Sequence, residues 1–212
     1  MLRVTTDTST GTSTGPSRGP RTRLTPDQRR TQLIDLGVSL LATRSLDELT
    51  IDVLAEEAGI SRGLLYHYFG NKHDFREAVV RRAVGDLVEQ TAPPEGGEPL
   101  ERLLASVAAY VDYVVANYQG YVSIVRGAAG GNETLRQVYE ETRDALTDRI
   151  FTEDAQGEII PDTPAARLMV RGWSAMGEEM VLTWVADPRG VTRDQLLGAL
   201  SASLPALVDL LH

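Results

Sequence analysis

The 212-residue sequence has no cysteine, a single lysine and no long run of uncharged apolar residues. Without cysteine there are no disulfides, thiolate zinc sites or thiol nucleophiles. No segment approaches the roughly 20 apolar residues of a membrane span, and the first residues lack the apolar block of a secretory signal. We therefore expect a soluble, cytoplasmic protein with no membrane partner.

Enzyme signatures are also missing from the sequence. There is no Gly-x-Ser-x-Gly elbow, phosphate loop, dinucleotide fingerprint or His-Glu-x-x-His motif. The three histidines, His67, His73 and His212, show no metal-ligand spacing. We expect no enzymatic activity, no metal and no cofactor.

The charge of −9 is distributed unevenly along the chain. Residues 1–92 have a net charge of zero, so residues 93–212 carry the whole excess of acidic groups. Because affinity for DNA comes largely from basic side chains that neutralise phosphates, only the first half is suited to a nucleic-acid partner.

The spacing of apolar residues is helical almost throughout, which predicts an all-α fold. Residues 1–24, rich in Thr, Ser, Gly, Pro and Arg, are expected to form a disordered tail. The predicted helices cover 25–44, 51–58, 61–68, 71–90, 99–117, 120–127, 132–151, 164–186 and 193–211.

Two short predicted helices are joined by a turn at Gly59. Thr50 can cap the first helix, and Gly59 tolerates the left-handed conformation that such a turn requires. Ser61 can cap the second, with Leu65 placed to close a hydrophobic staple. Two short helices joined in this way form a helix-turn-helix.

The second short helix directs several side chains outward near its N-terminal end, the end that enters a major groove. Arg62 suits the O6 and N7 atoms of guanine, whereas Tyr66, His67 and Thr50 suit phosphates. Gly63 is costly in a helix and suggests close approach of a DNA strand. The candidate DNA-binding residues are Thr50, Ser61, Arg62, Gly63, Leu64, Tyr66, His67 and Lys72.

Residues 50–72 resemble the N-terminal signature of the TetR family of bacterial regulators. The matching positions include Ala58-Gly59, Ser61-Arg62-Gly63, Tyr66-His67-Tyr68-Phe69 and Lys72, whereas Leu64 stands where the family often has a small polar residue. The resemblance implies a three-helix DNA-binding domain at 25–70. It also implies a helical domain at 71–212 that binds a ligand and forms a homodimer.

Other interpretations of these residues remain open. Singly, Tyr66, Tyr68 and Phe69 are more often core aromatics than DNA contacts, and we assign Tyr68 and Phe69 to the core. Arg62 alone would be a solvated charge. The tail residues Arg18, Arg21 and Arg23 could reach a minor groove or could simply be part of a solubilising tail.

The last two predicted helices have the composition of a dimer interface. Ala165, Gly172 and Ala175 would let a partner helix approach closely, while Leu168, Met169 and Leu182 supply apolar area. In the final helix, which Pro205 should bend, a leucine stripe recurs at helical spacing: Leu196, Leu200, Leu204, Leu207 and Leu211.

Aromatic and methionine side chains of the second half are candidates for a ligand pocket, although such stripes are often ordinary core. We predict a pocket lined by Tyr113, Tyr121, Trp173, Met176 and Met180. Arg126, Glu178 and Glu179 are possible polar anchors or merely solvated charges.

The sequence therefore predicts a DNA-binding transcriptional regulator, a repressor by default, that an unknown small-molecule effector releases from a palindromic operator. The rival interpretations are a DNA-binding regulator or architectural protein without a ligand and, less favoured, an enzyme. Activation in place of repression also stays open.

Overall fold

The computed structural model describes residues 24–154, 157 and 160–209, which contain nine α-helices and no strand. The all-α prediction is confirmed. The residues before 24, including Arg18, Arg21 and Arg23, lie outside the described part of the chain. The same is true of Leu211. The helices are α1 (Pro26–Leu41), α2 (Ile51–Ala58), α3 (Arg62–Phe69), α4 (Lys72–Gln90), α5 (Pro99–Ala116), α6 (Tyr118–Ala129), α7 (Glu133–Glu153), α8 (Pro164–Ala186) and α9 (Arg193–Asp209).

Side-chain caps fix where the first helices begin. Thr25 and Gln28 form the predicted capping box, in which each side chain accepts from the other residue's backbone amide. Thr50 caps α2 and Ser61 caps α3 through their side-chain oxygens. Gly59 ends α2 with a φ of +63°, the left-handed conformation that the turn was expected to need.

The first hydrophobic core joins the three N-terminal helices to α4, α6 and α7. Leu33, Leu49, Leu54, Leu65 and Phe75 are all essentially inaccessible to solvent within it. This core crosses the predicted domain boundary at residue 70, because α4 packs against both α1 and α7. A movement of α4 therefore has to be transmitted to the helix-turn-helix.

Arg76 on α4 fixes the loop that leads into α2. Its guanidinium donates to the carbonyl oxygens of Leu49 at 3.1 Å and Asp47 at 2.9 Å. Since Leu49 directly precedes the cap residue Thr50, this contact ties the start of the helix-turn-helix to α4.

Helices α1 and α6 approach so closely that only glycine fits between them. A Cβ atom on Gly120 would lie 2.6 Å from the carbonyl oxygen of Leu41. Three residues further along α6, the Ser123 hydroxyl accepts a hydrogen bond of 2.9 Å from the Leu46 amide. Helix α6 is thus a second contact between the C-terminal half and the helix-turn-helix.

We expect Gly120→Ala to lower the free energy of unfolding by about 1 to 3 kcal/mol, because the new methyl group overlaps backbone atoms that cannot rotate away. Urea unfolding measures the effect. Gly85→Ala is the matched control, since Gly85 also lies in a helix but a Cβ there meets open space; it should raise stability by up to about 1 kcal/mol. Equal effects of the two substitutions would contradict the close approach.

Helices α5, α8 and α9, with Phe151 of α7, form two further hydrophobic cores. The leucine stripe of α9 points into them, with Leu196, Leu200 and Leu204 almost fully buried. The expectation that this stripe contributes to a dimer interface is therefore wrong for Leu196, Leu200 and Leu204, which are buried within the same chain. None of the described helices combines the length and apolar composition needed to cross a membrane.

Candidate nucleic-acid interface and cavity

Helix α3 buries one side and leaves the other in solvent. Leu65 and Phe69 pack into the first core, and Tyr68 is partly buried against it. On the opposite side Leu64 is 38% and Tyr66 48% exposed. Exposed apolar and aromatic side chains that lie close together and are rimmed by polar groups are typical of a binding surface.

Charged and polar groups surround these exposed side chains. Arg62, His67 and Lys72 are all exposed, with Lys72 at the first position of α4. Thr50 and Ser61 are also exposed, and their side-chain oxygens accept the capping hydrogen bonds of α2 and α3. All eight predicted DNA-binding residues, Gly63 and Leu64 included, thus lie on the surface.

The Arg62 guanidinium forms an ion pair with Asp52 on α2. Both side chains are more than half exposed, at 69% and 58%. An exposed ion pair of this kind contributes only about 0 to 1 kcal/mol to the stability of the fold. A stronger acceptor, such as a guanine edge or a phosphate, can therefore displace Asp52 at little cost.

Gly63 has no packing role within the described part of the chain. A Cβ atom built on it would meet only the Ser61 hydroxyl, at 4.0 Å. Because φ at Gly63 is ordinary and space is available, the fold does not explain why glycine occupies this position.

We expect Gly63→Ala to leave the stability of the protein unchanged or slightly raised, by up to about 1 kcal/mol, and to weaken operator binding at least tenfold. The reason is that the added methyl group points to where a DNA strand would approach. Urea unfolding and fluorescence anisotropy with labelled operator measure the two effects, and Gly85→Ala again serves as control. Undiminished DNA affinity in the Gly63 variant would show that no close approach occurs there.

A cavity of about 140 Å³ lies in the C-terminal half, between α5, α7 and α8. The residues from α5 recur every three or four positions, from Pro99 to Tyr110, and so form one face of that helix. At 1.5 Å per residue this wall is roughly 16 Å long. The cavity is therefore elongated, and most of its lining is apolar, including Leu103, Val107, Leu146, Ile150, Trp173 and Leu200.

One end of the cavity contains two arginines that already make hydrogen bonds within the protein. Arg102 pairs with Glu153 and donates to the Pro94 carbonyl at 2.8 Å. Arg149 donates to the Val88 carbonyl at 2.6 Å and to both oxygens of Thr91 at 2.8 Å. Burial lowers the pKa of Arg149. Because Val88 lies in the last turn of α4, a residue of the cavity wall caps the helix that also contacts α1.

The other end of the cavity holds a carboxylate surrounded by tyrosines. The Tyr121 hydroxyl donates to Glu178 at 2.7 Å, and the Tyr139 hydroxyl donates to the second carboxylate oxygen. The hydroxyls of Tyr110 and Tyr121 are 3.0 Å apart, and Arg143 donates to the Tyr139 hydroxyl at 3.3 Å. Burial raises the pKa values of Tyr110, Tyr121 and Tyr139, so these phenols stay protonated at neutral pH.

The structure brings together only part of the predicted ligand set. Tyr121 and Trp173 line the cavity, as does the possible anchor Glu178. Tyr113 instead lines a separate pocket of about 20 Å³, where its hydroxyl donates to the Ala83 carbonyl and burial raises its pKa to about 12. Met176 is exposed on the outer face of α8, and Met180 packs against the α5 and α9 core.

The sequence did not predict the arginines that line the cavity, Arg102, Arg143 and Arg149. Arg143 and Arg149 belong to a helix rich in charged residues and have the signature of solvated side chains. Two of the possible anchors, Arg126 and Glu179, are exposed and do not line the cavity.

A helix-turn-helix with an exposed recognition helix, carried by a helical domain with an apolar cavity, defines a one-component DNA-binding regulator. Residues 33–79 match the family model for bacterial regulatory proteins of the tetR family. Residues 99–206 match the model described as a tetracyclin repressor-like C-terminal domain. The chain belongs to the TetR family, and it is a ligand-responsive, DNA-binding transcription regulator.

Two characterised relatives are similar over most of their length. The HTH-type transcriptional activator FasR of Mycolicibacterium smegmatis is 26% identical over 174 residues, covering 81% of this chain and 79% of the relative. The fatty acid metabolism regulator protein of Bacillus subtilis is 25% identical over 189 residues, covering 85% and 94%.

Solved structures agree with the fold. A tetR-family transcriptional regulator from Streptomyces coelicolor is 33% identical, with a TM-score of 0.77 over 87% of this chain and 82% of that one. The transcriptional regulator FadR from Bacillus subtilis, in complex with stearoyl-CoA, is 25% identical, with a TM-score of 0.62 over 86% and 99%.

Proposed function

We propose that the chain is a cytoplasmic, homodimeric repressor that an apolar small molecule, bound in the α5–α7–α8 cavity, releases from an inverted-repeat operator. A single observation carries this proposal: Arg149, which lines the cavity, caps the end of α4, and α4 packs on the helix-turn-helix. Cavity and DNA surface are thus joined by one helix.

DNA recognition is assigned to the exposed side of α3. Arg62 donates two hydrogen bonds to a guanine, and Leu64 lies against a thymine methyl group. Tyr66, His67, Thr50 and Lys72 contact phosphates, and Ser61 and Gly63 let the backbone approach. Two copies of α3, held about 34 Å apart by a dimer, would read successive major grooves on one side of the DNA.

The dimer is assigned to the outer faces of α8 and α9. Leu168 on α8 is 71% exposed, and Gly172 and Met176 follow it at helical spacing, also in solvent. On α9 four small residues are exposed: Gly198, Ala199, Ala202 and Ala206. Apolar side chains beside small residues allow two helix pairs to pack closely.

Introducing a charge at this face should separate the subunits. We expect Leu168→Glu to shift the protein from dimer to monomer, with dimer affinity lowered at least tenfold, because a carboxylate would be buried without a partner. Sedimentation velocity measures the change. Leu100→Glu is the control, since Leu100 is also exposed, at 41%, but lies on α5; a dimer that survives both substitutions would place the interface elsewhere.

Coupling between the sites follows from the size of the cavity. Apolar pockets for drug-sized ligands are roughly 300 to 1,000 Å³, larger than the 140 Å³ found here. A ligand of that size must push α5, α7 and α8 apart. Movement of α7 displaces Arg149 from the end of α4, and α4 then shifts the helix-turn-helix out of register with the second copy.

The relatives suggest where a search for the effector should begin. A relative from Bacillus subtilis is named as a regulator of fatty acid metabolism, and a solved structure from the same organism contains stearoyl-CoA. An elongated apolar cavity fits chain-like molecules in general.

Repression is proposed although one relative is named as an activator, because ligand binding here disturbs the α4 contact that positions the helix-turn-helix.

Selection of bound sequences from random double-stranded DNA, followed by a screen for small molecules that release the enriched site, tests the proposal. We expect an inverted repeat to be enriched and chain-like apolar compounds to release it. Enrichment of no sequence would contradict the DNA assignment. An inverted repeat that no small molecule releases would favour a DNA-binding regulator without a ligand.

A further inference from the structure

At the polar end of the cavity, formed by Glu178, Tyr110, Tyr121, Tyr139 and Arg143, the phenolic hydrogens are all used within the protein. The Tyr121 and Tyr139 hydroxyls each donate to one oxygen of Glu178. Since the hydrogen of Tyr121 is used in this way, Tyr110 is the donor in its bond to Tyr121. All three phenolic hydrogens are therefore committed to the network that ends at Glu178.

Lone pairs, by contrast, remain available at this end. A carboxylate offers about four acceptor positions, and Glu178 receives two hydrogen bonds from the tyrosines. The Arg143 guanidinium donates to the Tyr139 hydroxyl and to the Arg171 carbonyl, both at 3.3 Å. A group that donates can join this network at Glu178 without breaking it. A group that only accepts finds no free phenolic hydrogen and depends on Arg143, which already donates to Tyr139 and Arg171.

Charge leads to the same preference. Within the described part of the chain no basic side chain comes within 4.0 Å of the Glu178 carboxylate to form an ion pair. The rings of Trp173, Tyr110 and Tyr121 line the cavity around it. A carboxylate beside aromatic faces attracts a cation and repels an anion.

The arginines at the opposite end of the cavity do not reverse this preference for donating or cationic groups. The donors of Arg102 and Arg149 are directed at Glu153 and at carbonyl oxygens around the end of α4. An anionic group bound there competes with hydrogen bonds that the protein already makes. The apolar body of a ligand, however, can lie along the wall between the two ends.

We propose that the Glu178 end of the cavity selects effectors bearing an amine or a hydroxyl group at the end of an apolar body. The inference rests on the proposed function only in taking this cavity as the effector site. Glu178 accepts the hydrogen bond or pairs with the ammonium group, and the tyrosines hold the carboxylate in place.

Three probes with the same ten-carbon chain test the selection: decylamine, 1-decanol and decanoate. Isothermal titration of the full chain at neutral pH should give decylamine a dissociation constant at least tenfold lower than that of decanoate, with 1-decanol between them. Decanoate binding within threefold of decylamine, or no binding of decylamine, overturns the inference.

Two neighbouring glutamates on α8 give a matched pair of variants. Glu178→Gln should reduce the preference for decylamine over decanoate at least tenfold, because the charge is lost and the shape is kept. Glu179→Gln should leave the preference unchanged, since Glu179 is exposed and contacts Thr183. Equal effects of the two substitutions overturn the assignment to Glu178. If Glu178→Gln does not fold, the order in which the wild-type chain binds the three probes tests the selectivity on its own.

Operator binding in the same samples separates this inference from the proposed function. If decylamine binds in a Glu178-dependent way without changing operator affinity, the selectivity stands and the proposed coupling fails. If decanoate binds more tightly and releases the operator, the coupling stands and the selectivity fails.

Discussion

Replacing both Arg62 and Tyr66 by alanine should abolish specific operator binding while leaving the free energy of unfolding unchanged. Both side chains are exposed, and Arg62 makes only a solvent-exposed ion pair with Asp52, so the fold loses little. A bidentate arginine–guanine contact contributes about 1 to 3 kcal/mol to discrimination, and a dimer makes it twice. We therefore expect the affinity for the operator to fall on the order of 100-fold or more.

Fluorescence anisotropy at about 0.15 M salt measures this loss, because non-specific binding is weak under those conditions. Arg136→Ala is the control: Arg136 is an exposed arginine on α7 whose ion pair is with Glu133, and its removal should leave operator binding intact. If the double variant bound its operator within threefold of the wild type, α3 would not be the recognition helix.

Filling the cavity should produce a regulator that binds DNA but no longer responds to its effector. Ser106 lines the cavity from α5, and Ser106→Phe places an aromatic ring in a space of about 140 Å³. Operator affinity in the absence of effector should stay within threefold of wild type. The effector concentration that releases half of the DNA should rise at least tenfold.

Ala105→Phe is the matched control, because Ala105 is the preceding residue of the same helix and is exposed. It adds the same ring outside the cavity and should respond as the wild type does. A Ser106→Phe variant with a normal response would show that the effector binds elsewhere.

The helix-turn-helix could be predicted in detail because its determinants are local. Thr25 with Gln28, Thr50, Gly59 and Ser61 act on backbone groups within three or four residues of themselves, so their roles follow from spacing alone. All the predicted DNA-binding residues lie on the surface for the same reason: the buried pair Leu65 and Phe69 fixes the orientation of α3.

The cavity could be predicted only in part because its lining depends on how five helices, α5 to α9, pack. Trp173 and Met176 lie within one turn of α8, but α9 covers Trp173 and leaves Met176 in solvent. No feature of the neighbouring sequence distinguishes these two positions. In the same way, Arg149 owes its role to Thr91, 58 residues away in sequence, and the leucines of α9 cover their own chain's core rather than a partner.

The central claim is that two copies of α3, held by the α8 and α9 faces, bind one operator together. Sedimentation of the chain with two duplexes, one carrying the full inverted repeat and one with a single half-site scrambled, tests it most directly. The account predicts that the full duplex binds chains in pairs and that the scrambled duplex binds at least 100-fold more weakly. A single chain bound to either duplex with equal affinity would contradict it.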